Sequence, residues 1–334
     1  MIAWPFLAAV ALAAPIPGEL RTYRDWVVGC DNGRMCQAVA LLPRDGAEGA
    51  TLALRRGPEA GAVPMIWVTL RTEGAESPEW LAIGGRRFPL ALDAATQSLR
   101  VRDGAGASRL LGQATRIEAL DRQERVLGTV STSGSAAALL AMDSEQRRLG
   151  TTGALVRRGS ATRVPAPPAL PVVAAPARSS RPARTIGQPR LRRLLGADLT
   201  LCEYAQGLDV TNVRLDARHS LVLATHPCGN GAYNVFSTPF ILDERGRTTR
   251  ARFDSEPGMQ GETGGVTLVN ADWDAAKRQL TSFAKARGIG DCGNGQTYAW
   301  DGQGFRLAEQ AEMGECRGST DYITTWRARV VERR

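Results

Sequence analysis

Residues 288–330 read GIGDCGNGQTYAWDGQGFRLAEQAEMGECRGSTDYITTWRARV and contain Cys292 and Cys316, two of the chain's six cysteines. Tyr298–Trp300 and Phe305–Leu307 flank the turn sequence Asp301-Gly302-Gln303-Gly304. A hairpin in register sets Trp300 opposite Phe305 and Tyr298 opposite Leu307, so these residues share one face and form an aromatic core patch. In the strand that follows, alternation puts Tyr322, Thr324, Trp326, Ala328 and Val330 on one face and Arg327 and Arg329 on the other. The stretch predicts a disulfide-closed hairpin and a terminal strand, and with them a mainly β protein.

The same rhythm extends in both directions. Short β-like runs separated by Gly, Pro, Asp and Ser fill residues 19–159 and 194–334. In the first region, apolar residues flank the polar loop Asp31-Asn32-Gly33-Arg34 within TYRDWVVGCDNGRMCQAVALLPR (22–44), which reads as a β-hairpin clasped by Cys30–Cys36 with Trp26 near its base. One segment there departs from the β pattern. Ser133–Gly150 predicts a helix with Ser135 as N-cap, Leu139, Met142, Gln146 and Leu149 facing the core, and Gly150 as its stop. A strand-like Gly153–Val156 closes the region. In the second region Ser220–Ala224, Tyr233–Leu242, Gly265–Asn270 and Gln279–Ala284 read as further strands.

The expected architecture is two small β-sandwich or barrel-like domains, 19–159 with one helix and 194–334. Residues 160–193 join them as a disordered linker rich in Pro and Arg, with seven prolines. Residues 1–13 read as a signal peptide: an apolar run ending in Ala11-Leu12-Ala13, too short to span a bilayer. The 334-residue chain has a net charge of +8. Residues 151–193 carry nine arginines and no acid, whereas the flanking regions are near neutral. The basicity therefore belongs to the connector, which speaks against a nucleic-acid-binding domain.

Six cysteines in an exported chain point to disulfides. Sequence order suggests Cys30–Cys36, Cys202–Cys228 and Cys292–Cys316, each within one candidate domain. Chain entropy assigns about 2.4 kcal/mol to the first loop and about 3.5 kcal/mol to each longer one.

Other chemistry is sparse. Gly288-Ile289-Gly290-Asp291-Cys292-Gly293 matches the letters of a dinucleotide fingerprint, but a β-hairpin follows where that fingerprint needs a helix, so a glycine-rich disulfide turn is the better account. Asp291 is expected to pair with Arg317 across the bridged strands. A glycosidase reading would instead require Asp291 and Glu315 to face one cleft with shifted pKa values. His219 and His226 are the only imidazoles, and no nucleophile-elbow, zincin or P-loop motif accompanies them. His226, beside a disulfide cysteine and Pro227, reads as structural or surface, and His219 is given no role. No catalytic, cofactor-binding or metal residues are assigned. Trp300 and Trp326 are candidate ring-stacking contacts, with Asp291 and Glu315 as candidate polar ones.

F-A-K-A-R-G-I-G-D-C-G (283–293), Y-A-W-D-G-Q-G-F-R-L (298–307) and M-G-E-C-R-G-S-T-D-Y-I-T-T-W-R-A-R-V (313–330) resemble the C-terminal signature of a bacterial family known as domain of unknown function 1176. Cys202-Glu203, Cys228–Asn234, Asn270–Asp274 and Gly153–Val156 extend the resemblance. The hairpin beginning D-W-V-V-G-C (25–30) is also similar to the start of invasion-associated locus B proteins. The family resemblance implies an exported, disulfide-bonded, mostly β protein and brings no catalytic residues with it.

The resulting expectation is a periplasmic or secreted, non-catalytic protein that binds an unidentified protein or glycan of the cell envelope. The Arg-rich linker would contact an anionic surface, without nucleic acid and without a membrane span. Two alternatives accompany it. One is an inhibitor of a secreted enzyme such as lysozyme; the other is a cell-wall or glycan hydrolase working through acidic residues.

Overall fold

Ten antiparallel strands build the first sheet, in the order Arg21–Tyr23, Trp26–Cys30, Cys36–Ala40, Ala50–Arg56, Met65–Leu70, Ser98–Val101, Arg86–Asp93, Trp80–Ile83, Ile117–Leu120, Val126–Val130. The computed structural model describes residues 14–46, 48–72, 74, 76–94, 98–199, 208–226, 231, 233–257, 259–260 and 266–333. The leading hairpin sets Cys30 opposite Cys36, joined as a disulfide. Asp31 shapes its turn by accepting from the Gly33 and Met35 amides at 2.8 and 2.9 Å. One face of the sheet carries Trp26, Val28, Leu52, Leu54, Ile66 and Phe88 into a shared core.

Two helices cover that face, where the sequence had suggested one. Helix α1 (Gly104–Leu111) begins at Asp103, whose carboxylate accepts from the Gly106 amide, and buries Ala107 and Leu111. Its two glycines disguise it as a turn in the sequence. Helix α2 (Ser135–Glu145) buries Ala138, Leu139 and Met142. Its N-cap is Gly134 rather than Ser135: at φ 98°, a Cβ there would sit 1.8 Å from the Tyr23 carbonyl oxygen. The helix also ends before Leu149, which is 42% exposed. Residues 153–156 are not a strand. The Leu155 and Val156 amides instead donate to Asp143 Oδ2, and Asp143 Oδ1 accepts from buried Arg56 at 2.6 Å.

The second half is mainly β as well. Asp209–Arg214, His219–His226, Phe236–Asp243, Val266–Val269 and Met259–Gln260 lie in that order, and Thr248–Arg250 also pairs with Phe236–Asp243. A second sheet runs Asp272–Asp274, Gln279–Lys285, Gly293–Trp300, Phe305–Met313, Ile323–Arg327. The hairpin register places Trp300 opposite Phe305 and Tyr298 opposite Leu307. Leu221, Leu223, Ile241, Leu268, Leu280 and this aromatic group fill one core. The terminal strand differs from the expected alternation. A register shift between Gln310 and Ala311 falls where it pairs, and the strand breaks at Ala328. Ile323 and Thr325 are its fully buried residues, while Trp326 packs against the aromatic core.

The stretch 160–193 is not disordered throughout. Val172–Ala175 pairs in parallel with Arg329–Glu332, and Val173 covers Ala299 and Ala308. Helix α3 (Gln188–Leu195) seats Leu191 and Leu195 on Val222, Ala224, Phe240 and Leu242. A few apolar side chains among the prolines thus close the outer faces of both later sheets, and burial of those faces offsets the ordering entropy. Its charge is partly compensated too: Glu244 lies 4.0 and 3.7 Å from Arg181 and Arg184 and 2.7 Å from Arg214.

The other face of the first sheet meets the second half of the chain. Val27, Val39, Leu41, Ala53 and Trp67 share an apolar layer with Met313 and Ile323. Polar contacts ring this seam. Arg327 pairs with Asp31, and Arg317 with Asp25. Asn32 Nδ2 donates to the Arg327 carbonyl at 3.0 Å, and the Gly18 amide to the Thr325 carbonyl at 2.8 Å. Among the described residues no helix is long and apolar enough to cross a membrane.

Candidate functional site

The turn between strands Asp209–Arg214 and His219–His226 is built around one carboxylate. Asp216 Oδ1 accepts from the Arg218 and His219 amides at 2.7 and 2.9 Å. His219 Nδ1 lies 3.1 and 3.0 Å from the two oxygens, and Trp300 Nε1 donates to Oδ2 at 2.7 Å. The imidazole meets the Trp300 indole edge-on, with ring centroids 5.4 Å apart. Burial pushes the Asp216 carboxyl up, but Trp300, His219 and the Arg218 amide outweigh it and hold it below the ordinary carboxylate range. Asp216 therefore fixes the ring by Nδ1 and leaves Nε2 as the nitrogen that it does not engage.

His219 and Trp300 form the floor of a concavity of about 370 Å³, walled by Arg247, Thr249, Arg250 and Arg252. Asp243, the one carboxylate among the lining residues, pairs with Arg247 at 3.2 Å. Burial raises the Asp243 carboxyl, and the Arg247 and Arg245 amides with the Arg247 guanidinium bring it below its usual value. The walls offer hydrogen-bond donors and positive charge around an oriented imidazole, which suits recognition of an acceptor-rich ligand. Sequence reasoning set His219 aside. The available signal was Asp216, three residues before a histidine that opens a strand, a spacing that lets one carboxylate reach both backbone amide and ring.

The residues singled out from the sequence are dispersed. Asp291 is 1% exposed, and it pairs with Arg287 rather than Arg317. It also accepts from the Gly318 amide at 2.7 Å. Burial raises its carboxyl, but the Arg287 side chain and the Gly318 amide prevail and keep it low. Arg317 turns the other way, donating to Asp25 and to the Leu42 and Arg24 carbonyls. Glu315 accepts from Thr22 Oγ1 at 3.2 Å. The two acids therefore serve separate local contacts, and the raised general acid that a glycosidase pair requires is not Asp291. Trp300 is 4% exposed, a core residue that reaches the concavity by its edge. Trp326 is half-buried and donates through Nε1 to the Leu307 carbonyl at 3.2 Å.

Cys292 and Cys316 are joined as a disulfide beside Asp291. Cys202 and Cys228 lie outside the described residues, as does the 1–13 segment, and only the backbone of His226 is described. Among the described residues, no group of three His, Cys, Asp or Glu side chains is placed to hold a metal ion.

A second concavity, of about 430 Å³, opens at the seam, where Leu42, Arg44 and Arg71 from the first half meet Arg287, Ile289 and Arg317 from the second.

Across 331 residues the chain is 28% identical to the uncharacterized protein YpfG of Escherichia coli (strain K12), covering 92% of each. No solved structure matches. These comparisons lend no support to the likeness with invasion-associated locus B proteins. The family described as protein of unknown function, DUF1176, matches residues 20–329, taking in both halves and the stretch between them. The chain belongs to the DUF1176 family.

Proposed function

We propose that the protein is an exported, non-catalytic binding protein of the cell envelope that receives its ligand in the concavity over His219 and Trp300. One observation carries this reading. The one carboxylate among the lining residues, Asp243, pairs with Arg247, and Asp216 behind His219 is occupied by the Trp300 indole, the imidazole and two backbone amides, so the lining is dominated by hydrogen-bond donors. A ligand would meet those donors beside the imidazole held by Asp216. Disulfides at Cys30–Cys36 and Cys292–Cys316 suit an oxidising compartment and support export.

The test places a photo-crosslinking residue at Gln303, an exposed member of the concavity wall, in living cells. A discrete adduct is expected, and it should disappear when Thr249→Trp fills the space. Release of fragments from purified cell wall by the chain would overturn the reading in favour of a hydrolase. Lysozyme inhibition of equal potency with and without Thr249→Trp would move the function to another surface.

A further inference from the structure

The seam concavity is lined by four guanidiniums and no carboxylate among the described residues. Their surroundings differ. Arg317 is consumed by Asp25 and two backbone carbonyls. Arg287 is held by both oxygens of Asp291 through Nε and one terminal nitrogen, and its other terminal nitrogen has no part in that pair. Arg71 donates from one terminal nitrogen to Thr320 Oγ1 at 3.0 Å, while its buried Nε has no acceptor. No carboxylate lies within ion-pair distance of Arg44 or Arg71 among the described residues, although Asp321 lies near enough to Arg71 to feel its charge. Asp25 and Asp291 thus pair with Arg317 and Arg287, Asp25 also feels the charge of Arg44, and the four guanidiniums of the lining outnumber the carboxylates that pair with them.

A buried guanidinium nitrogen without an acceptor costs free energy that a bound anion would recover. A single carboxylate supplies two oxygens and one charge. A phosphate group supplies at least as many acceptors and up to two charges, and it is matched by several guanidinium forks converging from different directions. The lining also has an apolar part: Leu42, Pro43 and Ile289, the last 70% exposed. An exposed isoleucine beside an arginine cluster suits a ligand with an apolar portion next to its charge.

We propose that the crevice lined by Arg44, Arg71 and Arg287, together with Leu42 and Ile289, binds a phosphate group, either of a soluble phosphate compound or of a phospholipid headgroup. The site is distinct from the His219 concavity, and its ligand bridges the two halves of the chain.

The test titrates the purified chain, lacking residues 1–13, with inorganic phosphate by calorimetry at low ionic strength, and separately measures co-flotation with phosphatidylglycerol and phosphatidylcholine vesicles. Saturable phosphate binding is expected, weakened at least about tenfold in Arg44→Gln/Arg71→Gln, the loss that follows removal of a charge-assisted contact. Arg71→Lys, which keeps the charge but not the fork, should weaken it less. Arg245→Gln, which removes an exposed positive charge elsewhere, should leave it unaltered. Far-UV circular dichroism confirms that each variant is folded. Flotation with phosphatidylglycerol alone, lost in the double variant, assigns the lipid source; binding of phosphate without flotation assigns the soluble one. Absence of both, or equal weakening by Arg245→Gln, overturns the proposal.

Discussion

Strands Cys36–Ala40 and Gln279–Lys285 are both central in their sheets, yet they meet solvent differently. Every residue of the first is buried, whereas in the second buried and half-buried residues alternate. The second strand turns one face to a core, as a layer of a sandwich does. The first has two apolar faces, one on the helices α1 and α2 and one on Met313 and Ile323 of the other half. A sheet with apolar residues on both faces requires a second cover, and here a distant part of the same chain supplies it.

The largest test of this contrast is Ile323→Ala. Ile323 is fully buried on the seam, and truncation there should cost about 2–5 kcal/mol in urea unfolding. If the loss were below about 0.5 kcal/mol, the seam would be a loose contact, not a core.

Asp291→Asn probes the polar rim. Its buried carboxylate accepts from Arg287 and Gly318, but Arg287 is half exposed and its contribution is screened, so about 1–2 kcal/mol is expected at pH 7. The folded-state pKa is depressed. The stabilisation is therefore fully present above the unfolded value of about 3.9 and is lost as pH falls through the lower folded value. Wild type and variant should converge in acid; a constant difference across that range would show that charge is not the cause.

The smallest effect has the opposite sign. Burial raises the Asp321 carboxyl, against the Ser319 hydroxyl and the Arg71 charge. Its ionised form is disfavoured in the folded state, so the destabilisation grows as pH rises above the ordinary carboxylate value. Asp321→Asn should add up to about 1 kcal/mol of stability at pH 7 and nothing near pH 3. A loss of stability at pH 7 would instead make the Asp321 carboxylate a seam contact in its own right.

Much of the strand pattern was legible from the sequence, because it depends on neighbours in sequence and on period. The expected Ser220–Ala224 and Gln279–Ala284 fall within strands His219–His226 and Gln279–Lys285, and the Trp300–Phe305 register follows from a four-residue turn. What escaped depends on partners far along the chain. The burial of Val173, Leu191 and Leu195 within a Pro/Arg-rich stretch reflects sheet faces that only the assembled fold presents. Arg317 chose Asp25, nearly three hundred residues away, over Asp291, and no spacing rule encodes that choice. His219 acquires its orientation from Asp216 nearby, but its setting depends on Trp300, eighty-one residues further on. The arginine crevice was invisible for the same reason, since its walls come from both ends of the chain.

The parallel pairing of Val172–Ala175 with Arg329–Glu332, together with the Gly18–Thr325 backbone bond, has a temporal consequence. Early and middle segments thus need as neighbours two strands that are synthesised much later, Ile323–Arg327 and Arg329–Glu332. A nascent chain can form the helix-covered face of its first sheet early, but the opposite face must remain exposed until residues beyond 320 emerge. Its vulnerability to proteolysis or mispairing should therefore last until Ile323–Glu332 has emerged, and deletion of that segment should affect segments three hundred residues earlier.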